Sequence, residues 1–186
     1  MRTRRWSRIQ PLSELNIHVA VSEAGVCRLA LNRTDAAFLR DLRHFFPDPV
    51  WRRDDGGPLL DEADRQINGY FAGQLRTFEL PLDLNGTDFQ KRVWRTLLEI
   101  PYGQTRTYQE IARRIHAPAA VRAVGAANGR NPVPVIVPCH RVIAADGGLQ
   151  GFAAGIPLKK LLLGIEASHS GRGRAGGQLA LPGFRG

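Results

Sequence analysis

Residues 131–143 read Asn-Pro-Val-Pro-Val-Ile-Val-Pro-Cys-His-Arg-Val-Ile, with three prolines, a thiol, an imidazole and a guanidinium in thirteen positions. A cysteine in an apolar run is ordinarily a small buried hydrophobe, and on the residues alone that reading stays open. Pro132, Pro134 and Pro138 fix φ and remove backbone donors, so the segment is neither a regular helix nor a central strand. A rigid irregular segment of this kind suits the mounting of a nucleophile. His140 and Arg141 follow Cys139 directly, and neighbouring cations lower a thiol from its ordinary pKa of about 8.5. Cys139 is therefore expected to be an activated thiol. On a strand, adjacent side chains point to opposite faces, so His140 acts through a water or serves structure alone. A nucleophile–base pair also needs a third group to orient the imidazole, and spacing does not choose that carboxylate.

Other chemistries have less to stand on. Cys27 and Cys139 form no CxxC pair, and His18, His44, His116, His140 and His169 show no ligand spacing, so no metal is expected. The chain has neither a GxxxxGK[ST] loop nor a GxGxxG fingerprint, and no cofactor is expected. A Cys-His hydrolase remains an alternative; it would need an activated water, an oxyanion site and repeated turnover. Two cysteines make no disulfide framework, which points to a reducing, cytoplasmic compartment with Cys139 free. The N-terminus is basic but no continuous apolar region follows it, which argues against a secretory signal. No apolar stretch approaches the roughly 20 residues of a membrane span, so no membrane partner is expected.

The elements that must position this segment divide at Asn85-Gly86. Residues 1–87 balance 12 basic against 12 acidic side chains, whereas residues 88–166 hold 11 basic and 5 acidic, and the chain nets +9. The surplus lies on the half that carries Cys139, which favours a polyanion such as nucleic acid. In the first half, Ile17, Val19 and Val21 alternate, Ser22 to Gly25 turn, and residues 26–31 return as a hairpin. Residues 35–46 have helical periodicity, as do Ala63, Ile67, Tyr70 and Phe71. Phe78, Leu80, Leu82 and Leu84 alternate as a strand. Beyond the boundary, Thr87 to Gln90 and Thr107 to Glu110 read as capping boxes. The first opens a helix with Phe89, Val93, Trp94, Leu97 and Leu98 on one face; the second opens a short helix with Ile111 and Ile115 inward. Pro118 suits the first turn of another helix, Ala119 to Asn128, which Gly129 ends. Two short helices across a tight connection form a helix-turn-helix pattern, and in a basic half-chain that points to DNA. Residues 169–186 are rich in Gly and Arg and read as a flexible tail.

Residues 122–143, RAVGAANGRNPVPVIVPCHRVI, resemble the signature of the O6-alkylguanine-DNA alkyltransferases, which repair DNA by direct reversal. The resemblance spans about residues 87–167 and is most specific at PCHRV. Over residues 1–84 it is looser, resting on α/β order and length. It implies an α/β, ribonuclease-H-like N-terminal domain (1–84) and a mainly α, winged-helix-like C-terminal domain with a helix-turn-helix (85–168). Its implied partner is double-stranded DNA containing alkylated guanine, entered through the minor groove and with the lesion flipped out of the stack. The protein would be a monomer in solution, and whether it binds cooperatively along DNA stays open at this point. Cys139 would accept the alkyl group irreversibly, once per protein. His140 would take the thiol proton through water, Glu166 would orient His140, and Asn131 would support the active-site backbone. Arg122 would fill the space of the flipped base, Tyr108 would crowd the adjacent phosphate, and Ala123 and Gly125 would face DNA. Tyr108, Val142, Gly151, Phe152, Ala153 and Ala154 would form the substrate pocket. Phe152 and Ala153 stand where relatives often carry a tyrosine and a serine, removing two hydroxyls from that pocket. Alkyltransferase-like proteins that only bind the lesion and recruit other factors are the alternative. They characteristically lack the cysteine that this chain has.

Overall fold

The structure, a computed structural model, describes residues 3–47, 50–54 and 56–170. A four-stranded sheet of order β3-β2-β1-β4 builds the N-terminal half from β1 (Thr3–Leu12), β2 (Leu15–Ser22), β3 (Gly25–Leu31) and β4 (Val50–Arg53). The first three strands are antiparallel neighbours, and β4 runs parallel to β1. The expected hairpin is β2–β3, with Ile17 opposite Leu31 and Val19 opposite Leu29. One sheet face packs Trp6, Ala20 and Cys27 on Phe38 and Leu42 of α1 (Asp35–Phe45). The other buries Ile9, Ile17, Val19 and Leu29 in a cluster with Ile67 and Tyr70 of α2 (Pro58–Phe71). That cluster continues through Trp94 and Leu97 to Val137 and Cys139, so the two halves share one core.

The alternation at Phe78 to Leu84 does not form a strand. Only Leu82 bridges, to Val26, with Val26 N–H donating to Pro81 O (2.8 Å) and Asp83 N–H to Val26 O (2.9 Å). The four apolar side chains are partly buried against the core as an extended connector. Pro81 itself can donate to no ladder. The connector lies so close to Gly25 (φ +150°) that a Cβ there would stand 2.4 Å from Pro81 O, which leaves the position to glycine.

In the second half, Thr87 caps α3 (Asp88–Leu98) and Thr107 caps α4 (Tyr108–Arg114), each with both hydrogen bonds of a capping box. Val93, Trp94 and Leu97 are buried as expected, but Leu98 is 44% exposed, so the apolar face of α3 is narrower than its sequence suggests. Trp94 Nε1 donates to Ala127 O (2.8 Å), fastening α3 to α5 (Val121–Gly129). Residues 118–120 form the turn between α4 and α5, with Ala120 N–H on Ala117 O (2.8 Å); α5 thus begins at Val121 rather than Ala119. This pair is the helix-turn-helix. Two short parallel strands, β5 (Arg106–Thr107) and β6 (Val142–Ile143), lie beside it. Residues 130–138 are irregular, and Cys139–Arg141 make a single 3-10 turn, so Cys139 and His140 are not on a strand. A sixth helix, α6 (Ile156–His169), closes the fold. It claims Ser168 and His169, the latter assigned to the tail from sequence. The remainder of that segment, 171–186, lies outside the described residues.

Candidate active site at Cys139

The proline-rich loop is clamped from within by one amide. Asn131 Nδ2 donates to Val137 O (2.7 Å) and its Oδ1 accepts from Val133 N–H (3.0 Å). Val135 between them has φ +77°, a left-handed conformation costly for a β-branched residue and sustained only where the surroundings over-determine it. Val137 N–H on Val133 O (2.9 Å) supplies that constraint. The loop delivers Cys139, 4% exposed, to the wall of a cavity of about 560 Å³ that is also lined by Gly151, Phe152, Ala153 and Ala154 and by Arg28 and Leu29 of β3.

Burial pushes the Cys139 thiol up to about 11; the Asn131 side chain, the Lys159 charge and the backbone N–H groups of Cys139 and His140 pull it only part of the way back. At pH 7 such a group is ionised in only about one molecule in ten thousand. The expectation of a thiol activated by adjacent cations is therefore corrected. Burial drives the His140 pKa down and outweighs the opposing pull of Glu166, so the imidazole is neutral. Arg141 is turned away: its Nε and Nη2 donate to Glu166 (2.9–3.1 Å) and its Nη1 to Ile100 O (2.6 Å).

Glu166 gathers the donors. Oε1 accepts from His140 Nε2 (2.8 Å), Tyr70 Oη (2.7 Å) and Arg141, and Oε2 from Gly103 N–H (3.0 Å). Burial alone would raise its pKa, but the hydrogen bonds from His140 and Arg141 and the Arg141 charge hold it at about 2. A carboxylate only accepts, so His140 Nε2 carries the proton and Nδ1 is the basic nitrogen. Nδ1 is buried and has no protein partner. The fold thus brings Cys139, His140, Glu166 and Asn131 into one constellation: a buried thiol beside a neutral imidazole whose carboxylate is already ionised. Among the described residues no group of three His, Cys, Asp or Glu could hold a metal, and no helix is long and apolar enough to cross a membrane.

The remaining residues singled out from sequence lie around this centre. Tyr108 opens α4, rests over Gly125 and donates its hydroxyl to Gln150 O (3.2 Å). Arg122 and Ala123 are exposed on α5. Gly151 (φ +64°) approaches the Tyr108 hydroxyl so closely that a Cβ would stand 3.2 Å from it. Gly151 to Ala154 line the cavity, whereas Tyr108 and Val142 do not; Val142 is fully buried.

Sequence reasoning missed Lys159 and Tyr70. Lys159 is fully buried on α6, with Nζ donating to Val142 O (2.6 Å) and Gln150 O (3.0 Å). It is the cation that lowers the Cys139 pKa. A lysine three residues before Leu162 and seven before Glu166 shares their helical face, a signal available had α6 been recognised. Replacing it by methionine keeps the stem and removes the charge. Lys159→Met is expected to slow Cys139 reactions about tenfold at pH 7, the effect of raising a thiol pKa by one unit. Rates toward a small alkylating reagent, compared between variant and wild type, check this, and equal rates would exclude an electrostatic role.

Comparison with known proteins places this arrangement. Residues 88–168 match the family model of the 6-O-methylguanine DNA methyltransferase DNA binding domain, and residues 15–84 that of its ribonuclease-like domain. A ribonuclease-like sheet half joined to a helix-turn-helix half is the architecture of that class. The chain belongs to the methylated-DNA–protein-cysteine methyltransferase family. It is 54% identical over 127 residues to the Mycobacterium tuberculosis member, covering 68% of this chain and 72% of the relative. It is 58% identical over 107 residues to the Methanosarcina acetivorans member, covering 58% and 69%. The crystal structure of Mycobacterium tuberculosis OGT in complex with DNA superposes with a TM-score of 0.76 at 42% identity, covering 89% of this chain and 94% of that one.

Proposed function

We propose that this protein, as a methylated-DNA–protein-cysteine methyltransferase, reverses O6-alkylation of guanine in double-stranded DNA by transfer of the alkyl group to Cys139. The observation that carries the assignment is Cys139 on the cavity wall, with the His140–Glu166 pair behind it and the helix-turn-helix alongside. The thiol proton passes through a water to His140 Nδ1. Sulfur attacks the alkyl carbon, the carbon–O6 bond breaks, and guanine leaves with the electron pair and is protonated. The neutral imidazole supplies what the high thiol pKa withholds: it makes thiolate only as the reaction requires it. Asn131 holds the loop, and Gly151 to Ala154 surround the flipped base. The assignment carries with it no cofactor, two domains dividing near residue 85 and a monomer in the cytoplasm. Intact-mass measurement after incubation with a methylated-guanine duplex tests the reaction.

DNA engagement gives a second test. The basic surplus of residues 88–166 acts on phosphates, so binding is expected to be largely independent of sequence and to weaken as salt rises. Arg122 is exposed on α5 and makes no salt bridge among the described residues. As the side chain that occupies the place of the flipped base, Arg122→Ala is expected to slow repair of duplex DNA at least tenfold while changing reaction with a free modified guanine less than about twofold, because the free base needs no unstacking. Equal losses on both substrates would remove Arg122 from that role.

A further inference from the structure

Tyr70 lies on α2, in the sheet half of the molecule, 96 positions before Glu166. It is fully buried, with its ring against Phe71 (5.4 Å), Phe78 (5.4 Å) and Tyr102 (6.0 Å) and edge-on to His140 (6.5 Å). A phenylalanine would fill that aromatic cluster equally well. The hydroxyl instead reaches the Cys139 site. We infer that Tyr70 is a positioning residue of the transfer reaction, through which the N-terminal half fixes His140 as the neutral base; this rests on the function proposed above.

The hydrogen-bond inventory supports a specific role. Tyr70 has one hydroxyl proton, and Glu166 Oε1 accepts it at 2.7 Å. Its oxygen, 3.3 Å from His140 Nε2, is then left to accept. The Nε2 proton lies between Oε1 at 2.8 Å and the phenol oxygen at 3.3 Å, so three groups from α2, α6 and the 3-10 turn close a ring. That ring fixes the imidazole plane and leaves Nδ1 as the base. Burial and Glu166 hold the phenol well above its ordinary pKa, so it remains a donor throughout the working range.

The second consequence is electrostatic. Facing His140 are Glu166 and Lys159 from α6, Tyr70 from α2, and Cys139 and Arg141 from its own turn, with Tyr102 beyond Arg141. Glu166 favours the imidazolium; Lys159 and Arg141 oppose it. A hydroxyl proton on Oε1 at 2.7 Å draws carboxylate charge away from the imidazole, and this outweighs the longer 3.3 Å contact in which the phenol oxygen accepts from Nε2, so on balance Tyr70 opposes it as well. Removing that proton shifts His140 toward the charged form, which cannot take the thiol proton.

Tyr70→Phe keeps the ring and removes only the hydroxyl. Single-turnover transfer from a methylated-guanine duplex is measured from pH 5 to 9, and His140 is titrated in parallel by imidazole NMR. The expected result is a loss confined to the acid limb of the rate profile, about three- to tenfold well below the His140 titration and closing above it, as the acid limb and the His140 titration both move up by about half to one unit. Duplex affinity stays unchanged. Placing 3-fluorotyrosine at position 70 strengthens the donor without altering shape and is expected to move both curves down. A variant profile parallel to wild type at every pH, or a His140 titration unmoved in either variant, would overturn the inference. The NMR titration needs no alkyl transfer. Wild-type protein that transfers nothing would therefore sink the functional assignment, while an unmoved titration in an active wild-type background sinks the role of Tyr70 alone.

Discussion

Incubation with excess duplex carrying O6-methylguanine is expected to stop at one methyl group per protein molecule, all of it on Cys139 and none on Cys27. The chemistry dictates the end point. Displacement of guanine from a saturated carbon leaves a thioether, which has no carbonyl for water to attack and a thiolate as its poor leaving group. The acyl-enzyme route by which cysteine hydrolases recover their nucleophile is closed. The choice between the two thiols follows from their surroundings. Both border the same cavity, but burial pushes Cys27 up to about 12, and its proton is directed to Ala20 O at 3.4 Å. Cys139→Ala is expected to abolish transfer and leave duplex binding intact, since Asn131 still clamps the loop through its backbone partners. Intact mass and a peptide map read all of this. A second methyl group, label on Cys27, or more guanine released than protein present would replace the suicide transferase by a turning-over enzyme.

What the sequence disclosed of this site depended on how locally each feature is determined. The capping boxes at Thr87 and Thr107 are set by side chains three residues apart, and both are present. The β2–β3 hairpin likewise shows its alternation within one short stretch. Strand β1 was hidden by Arg4, Arg5 and Arg8, which interrupt the apolar pattern while Trp6 and Ile9 are buried. Helix α6 was hidden by its own function: Lys159 and Glu166 occupy buried positions where periodicity calls for apolar residues. The charge on the thiol was misjudged because adjacency in sequence stood in for proximity in space. Arg141 follows two positions after Cys139 yet turns to Glu166, while Lys159, twenty positions away, carries the charge that Cys139 meets. Tyr70 left no local trace, since nothing near it indicates a carboxylate on a helix 96 positions later. The resemblance at PCHRV grouped Glu166 with His140 where spacing could not; the donors around that carboxylate emerge only in three dimensions.

Glu166 shows how far stability and catalysis are joined here, and its removal is expected to damage both. The side chain is 1% exposed and pairs with Arg141, itself 8% exposed. Glu166→Ala leaves the guanidinium buried without a counter-charge and strips acceptors from Tyr70, His140 and Gly103 N–H. Breaking a buried pair by removing one partner costs about 3–5 kcal/mol. For a chain of this length that lowers the melting temperature by about 6–20 °C. Transfer, measured well below the variant's melting point, should fall at least tenfold because His140 loses the group that fixes its tautomer. Glu166→Gln retains the shape and one acceptor and should lie between the two. Acid adds an independent signature. Glu166 ionises at about 2 in the folded protein against an ordinary 4.5. Its stabilisation is therefore complete above pH 4.5 and is lost as pH falls toward 2. Wild-type stability should decline across that window, and the alanine variant should lack this part of the decline. Melting curves of the three proteins between pH 3 and 7 make the comparison. An alanine variant melting within a degree or two of wild type at pH 7, with the same acid slope, would show that Arg141 finds another partner and that Glu166 does not organise the site.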